Sequence, residues 1–134
     1  MHLFERGQSS GQLWVYRGYL DAPNAKAGDN FGASVAIAPS IIGGKMTIVV
    51  GAPNRDLTVL GANKQDAGSA FVFTRTPGSM GAQLAGPERT SLVPSTGERF
   101  GWDVTAIRRR SLIGVPFADD QGLNSGTGRI LRDP

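Results

Sequence analysis

An internal repeat constrains the fold of this chain more than any other feature of its sequence. Residues 11–16 (GQLWVY) return 57 positions later as residues 68–73 (GSAFVF), and a weaker third copy begins after another 58 positions, at residues 126–131 (GTGRIL). A spacing this constant indicates one structural unit that is used repeatedly. We divide the single repeat region, residues 1–134, into repeats at residues 11–67 and 68–125 and a partial third from residue 126.

Two further segments recur in a fixed order inside this frame. Residues 28–37 (GDNFGASVAI) match residues 97–106 (GERFGWDVTA), and residues 48–53 (IVVGAP) match residues 112–116 (LIGVP). Larger apolar and small residues alternate with period two over residues 31–37, which predicts a strand there. Each repeat therefore predicts three or four short strands, and helical patterns are scarce.

The composition fits short strands that are joined by tight turns. Glycine and proline supply 27 of the 134 residues (19 Gly and 8 Pro), against an average share of about 12% for the pair. A unit of this size cannot bury both of its faces alone, so it must stack on copies of itself, as a β-propeller blade does. We predict an all-β fold of antiparallel β-propeller blades, about two blades plus partial ones. Because propellers typically have at least four blades, we expect a fragment of a larger propeller or a chain that assembles into one.

Residue counts exclude most kinds of catalytic centre. The chain has no cysteine and a single histidine, His2, which excludes thiolate zinc sites, cysteine nucleophiles and histidine-based triads. Neither a Gly-rich phosphate loop nor a nucleophile elbow is present. We therefore expect no catalytic residue and no enzyme activity. No run of 18 apolar residues and no signal peptide is visible, so we expect no membrane span in this chain.

Two short motifs in a fixed order carry a family resemblance. Phe-Gly precedes Gly-Ala-Pro in the first repeat, and Phe-Gly precedes Gly-Val-Pro in the second. This arrangement resembles the FG-GAP repeat family, the blades of integrin-α-like β-propellers and related surface proteins. The phenylalanine ring can fill the wedge between blades, glycine allows close backbone approach, and proline ends a strand. We expect such structural roles for Phe31, Gly32, Gly51, Ala52, Pro53, Phe100, Gly101, Gly114 and Pro116.

The resemblance implies a non-catalytic binding or adhesion module that is extracellular or at the cell surface. One alternative is an accessory propeller within a larger, phospholipase-like surface hydrolase, and another is a short chain that completes its sheet by oligomerisation. The partners implied are additional propeller blades, in the same or another chain, and a protein or glycan ligand.

The family resemblance raises the question of whether this chain binds calcium. Blades of the integrin type often carry an Asp-rich loop between the Phe-Gly strand and the Gly-x-Pro strand, because Ca²⁺ requires several oxygen ligands. Here the first such connection, residues 39–45, has no carboxylate, and the second contains three consecutive arginines. We therefore expect no cofactor and no metal ligand. The loops after Gly-x-Pro could hold an ion, but turn carboxylates are the favoured interpretation of Asp56, Asp66, Asp119 and Asp120.

The three arginines, residues 108–110, predict the tip of a hairpin because apolar strands lie on both sides. Such a tip could add to a polyanion-binding patch. No basic stripe extends from it, however, so we expect no nucleic-acid partner. Trp102 lies close to Phe100, and we expect it in the blade core.

Overall fold

The computed structural model describes residues 1–7, 13–39 and 44–133. Every helix or strand that it contains within these ranges is a β-strand, and no helix there could span a membrane. The strands are β1 (His2–Arg6), β2 (Trp14–Tyr19), β3 (Val35–Pro39), β4 (Met46–Ala52), β5 (Leu57–Val59), β6 (Ala62–Lys64), β7 (Ser69–Arg75), β8 (Gln83–Leu84), β9 (Val104–Ile107), β10 (Arg110–Val115) and β11 (Thr127–Arg132).

These strands form three antiparallel sheets and one small hairpin. The first sheet pairs β1 with β2, the second has the order β3-β4-β7-β8, and the third has the order β9-β10-β11. Strands β5 and β6 form a hairpin within the connection between β4 and β7. The predicted all-β fold is confirmed, with four antiparallel strands in the second sheet and three in the third.

The second and third sheets share one strand register. Equivalent positions in the two sheets are 69, 63 and 58 residues apart in their first, second and third strands, the same offsets that separate the Phe-Gly, Gly-x-Pro and late-strand copies in the sequence. The repeated motifs thus mark repeated hydrogen-bonding positions. The matching cross-strand rows are Val35, Val50 and Phe71 in the second sheet and Val104, Ile113 and Arg129 in the third.

Sheets and sequence repeats are out of phase with each other. The second sheet takes β3 and β4 from residues 11–67 but β7 and β8 from residues 68–125. Seven residue pairs join β4 to β7, from Met46 paired with Arg75 to Ala52 paired with Ser69. Consecutive repeats are therefore held together by hydrogen bonds inside one sheet, as well as by packing between sheets.

Two hydrophobic cores lie on opposite faces of the second sheet. Successive residues of β4 point to opposite faces, so Val49 belongs to the core against the third sheet and Val50 to the core against the first. Both residues are fully buried. This explains the nearly continuous apolar sequence of β4, since a strand that is covered on both faces has no solvent side.

The strand predicted from residue 31 begins later than expected. Strand β3 starts at Val35, and residues 31–34 form a turn instead. Asn30 and Gly32 both have positive φ, 56° and 96°, which is incompatible with an extended strand. The period-two pattern over residues 31–34 was therefore a wrong indicator, because turn residues can alternate in size by coincidence.

The outer faces of the first and third sheets carry exposed apolar side chains. Glu5 bonds Arg75 of the second sheet, so the flanking Phe4 points away from it. Phe4, Trp14 and Tyr16 are 53%, 68% and 45% exposed on the outer face of the first sheet. On the outer face of the third sheet, Ile107, Leu112 and Ile130 are 70%, 43% and 71% exposed. We call these the aromatic end face and the aliphatic end face.

Candidate binding site

The two halves of the repeated motif are joined by a reciprocal pair of hydrogen bonds. The Phe-Gly glycine donates its N–H to the carbonyl of the Gly-x-Pro glycine, at 2.9 Å from Gly32 to Gly51 and at 3.2 Å from Gly101 to Gly114. The Gly-x-Pro glycines donate in return to a carbonyl two residues beyond each Phe-Gly, on Ser34 at 2.9 Å and on Asp103 at 2.8 Å. The motif is thus a turn fastened to the neighbouring strand of its own sheet.

The motif glycines also form the contact between sheets. A Cβ atom on Gly51 would overlap the carbonyl oxygen of Gly101, and one on Gly101 would overlap the carbonyl oxygen of Ser69. The Ser34 hydroxyl donates to the Gly101 carbonyl at 2.9 Å, and the Phe100 N–H donates to the Ala67 carbonyl at 2.9 Å. Backbone therefore lies directly on backbone here, which only glycine permits.

The remaining motif residues pack or end strands. Phe100 is fully buried in the core between the second and third sheets. Phe31 is half-buried and packs edge-on against Phe71, with ring centroids 5.6 Å apart. Ala52 is fully buried at the end of β4, and Pro53 and Pro116 each follow directly after the last residue of their strand.

The loop aspartates serve as hydrogen-bond acceptors within their own turns. Asp56 accepts the N–H of Asp66 at 3.0 Å, and Asp119 accepts the N–H of Asn124 at 2.6 Å in the equivalent loop. Asp120 bonds Arg129 at 2.8 Å. Across the described ranges, no three His, Cys, Asp or Glu side chains converge on one point. Residues 40–43 of the connection predicted to lack calcium ligands lie outside the described residues.

Sequence reasoning missed a buried cation at the junction of three loops. The Arg55 guanidinium bonds Asp29 at 2.6 Å and Glu88 at 2.6 Å, and it lies over the Phe71 ring at 5.5 Å from the centroid. Burial alone would lower the pKa of Arg55, but the hydrogen bonds and negative charges of Glu88 and Asp29 outweigh burial and raise it. Because its partners lie 26 and 33 residues away in the chain, no local motif announced the cluster.

The predicted arginine hairpin tip is present. Strands β9 and β10 are joined by a two-residue turn at Arg108 and Arg109, and Arg108 has a φ of 56°. Arg110 lies directly opposite Arg132 on β11. The tip is therefore a local basic corner at one end of the third sheet.

A cavity of about 360 Å³ opens between the two loops that precede β9 and follow β10. Phe117 and Arg99 line it, and Trp102 packs edge-on against Phe117 with ring centroids 6.0 Å apart. The Arg99 guanidinium lies over both rings, 5.3 Å from the Trp102 centroid and 5.4 Å from the Phe117 centroid. We call this the loop pocket; Thr96, Gly97, Asp119, Leu123 and Asn124 complete its lining.

Trp102 does not lie in the blade core, contrary to expectation. Its side chain is 47% exposed, because the turn that buries Phe100 directs the residue after Gly101 towards solvent. The equivalent residue of the first repeat, Ala33, is also exposed. This position of the turn therefore faces solvent in both repeats.

The segment from β2 to β7 matches a protein-family model. Residues 14–73 match the model described as FG-GAP repeat. This segment is similar to an FG-GAP repeat. This confirms the resemblance predicted from the motifs, and the all-β sheets are blades of the kind that FG-GAP repeats form. No curated protein matches the chain.

The FG-GAP geometry extends beyond the matched residues. Phe100, Gly101 and Gly114 lie outside residues 14–73, yet they repeat the hydrogen bonds of the matched Phe31, Gly32 and Gly51. The third sheet is therefore built by the same rules as the second.

Proposed function

We propose that this chain is a non-catalytic binding or adhesion module of an FG-GAP β-propeller, located outside the cell or at its surface. The observation that carries the proposal is the loop pocket, a ligand-sized cavity on loops that are held by stacked FG-GAP sheets. Loops on a rigid scaffold are where binding residues concentrate. FG-GAP repeats are typically non-catalytic propeller modules, and surface proteins are where they typically occur.

The partners that we propose for the two end faces are further blades, in the same or another chain. Trp14 and Tyr16 of the aromatic end face occupy the repeat positions of Phe71 and Phe73, which are buried between the first and second sheets. A blade of matching shape would bury the exposed rings in the same way. This is the kind of contiguous apolar surface that marks an interaction site.

The aliphatic end face follows the same equivalence. Leu112 and Ile130 occupy the repeat positions of Val49 and Val72, which are buried between the second and third sheets. Each end face thus corresponds to one side of a contact that is buried between sheets inside the chain. The aromatic end face of one copy could therefore pack against the aliphatic end face of another. This favours, as a second candidate, a chain that completes its array by head-to-tail oligomerisation.

Light scattering at increasing protein concentration tests that second candidate. We expect a mass above that of the monomer for the wild-type chain, and a lower mass for Ile130→Glu, which places a charge on the aliphatic end face. The matched control is Leu92→Glu, because Leu92 is 89% exposed and lies on neither end face. A monomer at every concentration would contradict oligomerisation and leave further blades of a longer chain as the proposed partners.

Labelling of intact cells tests the main proposal. An antibody against this segment should stain intact cells that express the parent protein, and the purified labelled chain should bind those cell surfaces saturably. Staining only after permeabilisation would contradict the surface location. Sequencing of the coding region on both sides of the segment separates an adhesion protein from the accessory propeller of a hydrolase.

A further inference from the structure

The chain has two turns of the same geometry, at residues 30–33 and 99–102. The first turn shows which side chains the geometry requires, so it serves as a reference for the second. Asn30 and Arg99 occupy the same turn position, each with a φ of 56°. The following turn bond is also the same, from the Ala33 N–H to the Asn30 carbonyl at 3.1 Å and from the Trp102 N–H to the Arg99 carbonyl at 3.2 Å. Asparagine and alanine are thus sufficient to build this turn.

Three side chains in or beside the loop pocket are therefore not required by the fold. Arg99 and Trp102 stand where the first turn has asparagine and alanine, and Phe117 stands where the loop after Pro53 has Asn54. Asparagine tolerates positive φ better than most residues, so arginine at this position makes the turn less favourable. Arg99 and Phe117 line one cavity, and Trp102 packs beside it against Phe117. A strained arginine and exposed rings at one cavity indicate a binding role.

The Arg99 side chain packs against two rings and has no hydrogen-bond partner among the described residues. The two rings hold the guanidinium by cation–π contact, while no hydrogen bond or ion pair from this side chain to any described residue is present. A guanidinium fork that is pre-organised in this way matches a carboxylate, which it can bind through two parallel hydrogen bonds. The charge of Arg99 has no protein counter-ion among the residues that the structure describes.

The rest of the loop pocket offers acceptors and apolar surface. Asp119 uses one carboxylate oxygen to hold the Asn124 N–H, which leaves the other oxygen as an acceptor for hydroxyl groups. Leu123, 85% exposed at the edge of the cavity, and Phe117 supply apolar contact area. Hydroxyl donors, C–H faces and one carboxylate occur together in a sugar acid. An acidic peptide side chain offers a carboxylate for Arg99 but no hydroxyl donor for Asp119.

We propose that the loop pocket binds a uronate-bearing saccharide, with the sugar carboxylate on Arg99, hydroxyl groups on Asp119 and the C–H face of the ring against Phe117 and Leu123. This inference rests on the proposed binding function and names its ligand class. The cavity of about 360 Å³ lies within the range of about 300–1,000 Å³ that is usual for small-molecule sites.

Isothermal titration with uronate oligosaccharides tests the inference. The probes are short oligomers of glucuronate, galacturonate, mannuronate and guluronate, their carboxyl-reduced neutral counterparts, and a glutamate-rich peptide. We expect at least one uronate oligomer to bind the wild-type chain with a Kd of about 1 mM or tighter, and its neutral counterpart to bind at least about tenfold more weakly. We also expect the glutamate-rich peptide to bind no more tightly than the neutral sugar.

The first repeat supplies the matched variant. The triple change Arg99→Asn, Trp102→Ala and Phe117→Asn installs the residues that the first repeat has at these positions. The variant should therefore fold as the wild type does and bind the uronate oligomer at least about tenfold more weakly. Arg99→Met, which keeps an unbranched apolar side chain but has no donors, separates loss of the guanidinium from loss of the rings. Thermal melting of each variant checks that the fold is intact.

Several results would overturn the inference. The inference is wrong if no uronate oligomer binds at millimolar concentration, or if neutral and acidic sugars bind equally. It is also wrong if the peptide binds more tightly than the uronate oligomers, or if a folded triple variant binds them as the wild type does. The proposed binding function fails separately, if the wild-type chain does not bind cell surfaces. If the wild-type chain and the triple variant bind cell surfaces equally, the binding function stands and the loop pocket is not its site.

Discussion

The two motif phenylalanines have the same sequence context but different burial. Phe100 is fully buried between two sheets, whereas Phe31 is half-buried against the rings of Phe71 and Phe73. We expect Phe100→Ala to lower the free energy of unfolding by about 3–5 kcal/mol, as truncation of a buried aromatic residue does, and Phe31→Ala to lower it by less. Urea titration measures both. A loss under about 1 kcal/mol for Phe100→Ala would contradict the wedge role.

Ionisation of the Glu5 carboxyl group makes the stability of the fold depend on pH. Hydrogen bonds and the positive charge of Arg75, with further bonds from Gly78 and Arg17, outweigh burial and lower the pKa of Glu5 below its ordinary value of 4.5. Its stabilising effect is therefore present above pH 4.5 and is lost as the pH falls through the lowered pKa. We expect Glu5→Gln to lower the melting temperature at pH 7.

The pH series supplies the control for that variant. The difference in melting temperature between wild type and Glu5→Gln should shrink below pH 4.5 and vanish once Glu5 is protonated in the folded protein. A difference that stays constant through the acid range would show that the glutamine change acts by packing and not by charge.

At the scale of single elements, the FG-GAP turn is where two sheets meet through backbone atoms. Gly101 has a φ of 87°, and a Cβ there would overlap the Ser69 carbonyl. Gly61 has a similar φ of 80° in the tip of the β5–β6 hairpin, but nothing lies within 4 Å of its added Cβ. The pair therefore separates backbone strain from overlap between sheets.

We expect Gly61→Ala to cost about 1 kcal/mol, from positive φ alone. Gly101→Ala should cost several times more, because the third sheet must also move away from the second. Chemical denaturation of both variants measures the two effects. Equal losses would mean that the turn can shift without disturbing the contact between sheets.

Local pattern predicted the strands well where side chains alternate between two cores, and poorly where a turn precedes the strand. The register of the two larger sheets follows the motif offsets because the same residues make the same bonds in each repeat. Residues 31–34 mimic a strand pattern, yet positive φ at Asn30 and Gly32 produces a turn. Trp102 was expected in the core because a sequence pattern does not say to which side a turn directs its residues.

At the scale of the whole molecule, four loop carboxylates that could attract calcium already form hydrogen bonds or ion pairs within the protein. Asp56 and Asp119 accept backbone N–H groups, and Asp29 and Glu88 surround the Arg55 guanidinium. We propose that the described loops need no metal, and expect millimolar Ca²⁺ or EDTA to leave the melting temperature unchanged. Differential scanning fluorimetry measures this, and a rise of several degrees with Ca²⁺ would contradict it.

The sequence by itself determined the all-β class, the likeness to FG-GAP repeats and the spacing of the repeated motifs, because each depends on residues that recur at fixed spacing along the chain. Only the tertiary structure decided the Arg55 cluster, the two end faces and the loop pocket. Each of these brings together side chains from separate loops or strands, and their contacts follow from how the sheets stack. The pairing of Arg99 with Phe117 depends on the FG-GAP turn, which brings the start of β9 and the end of β10 together.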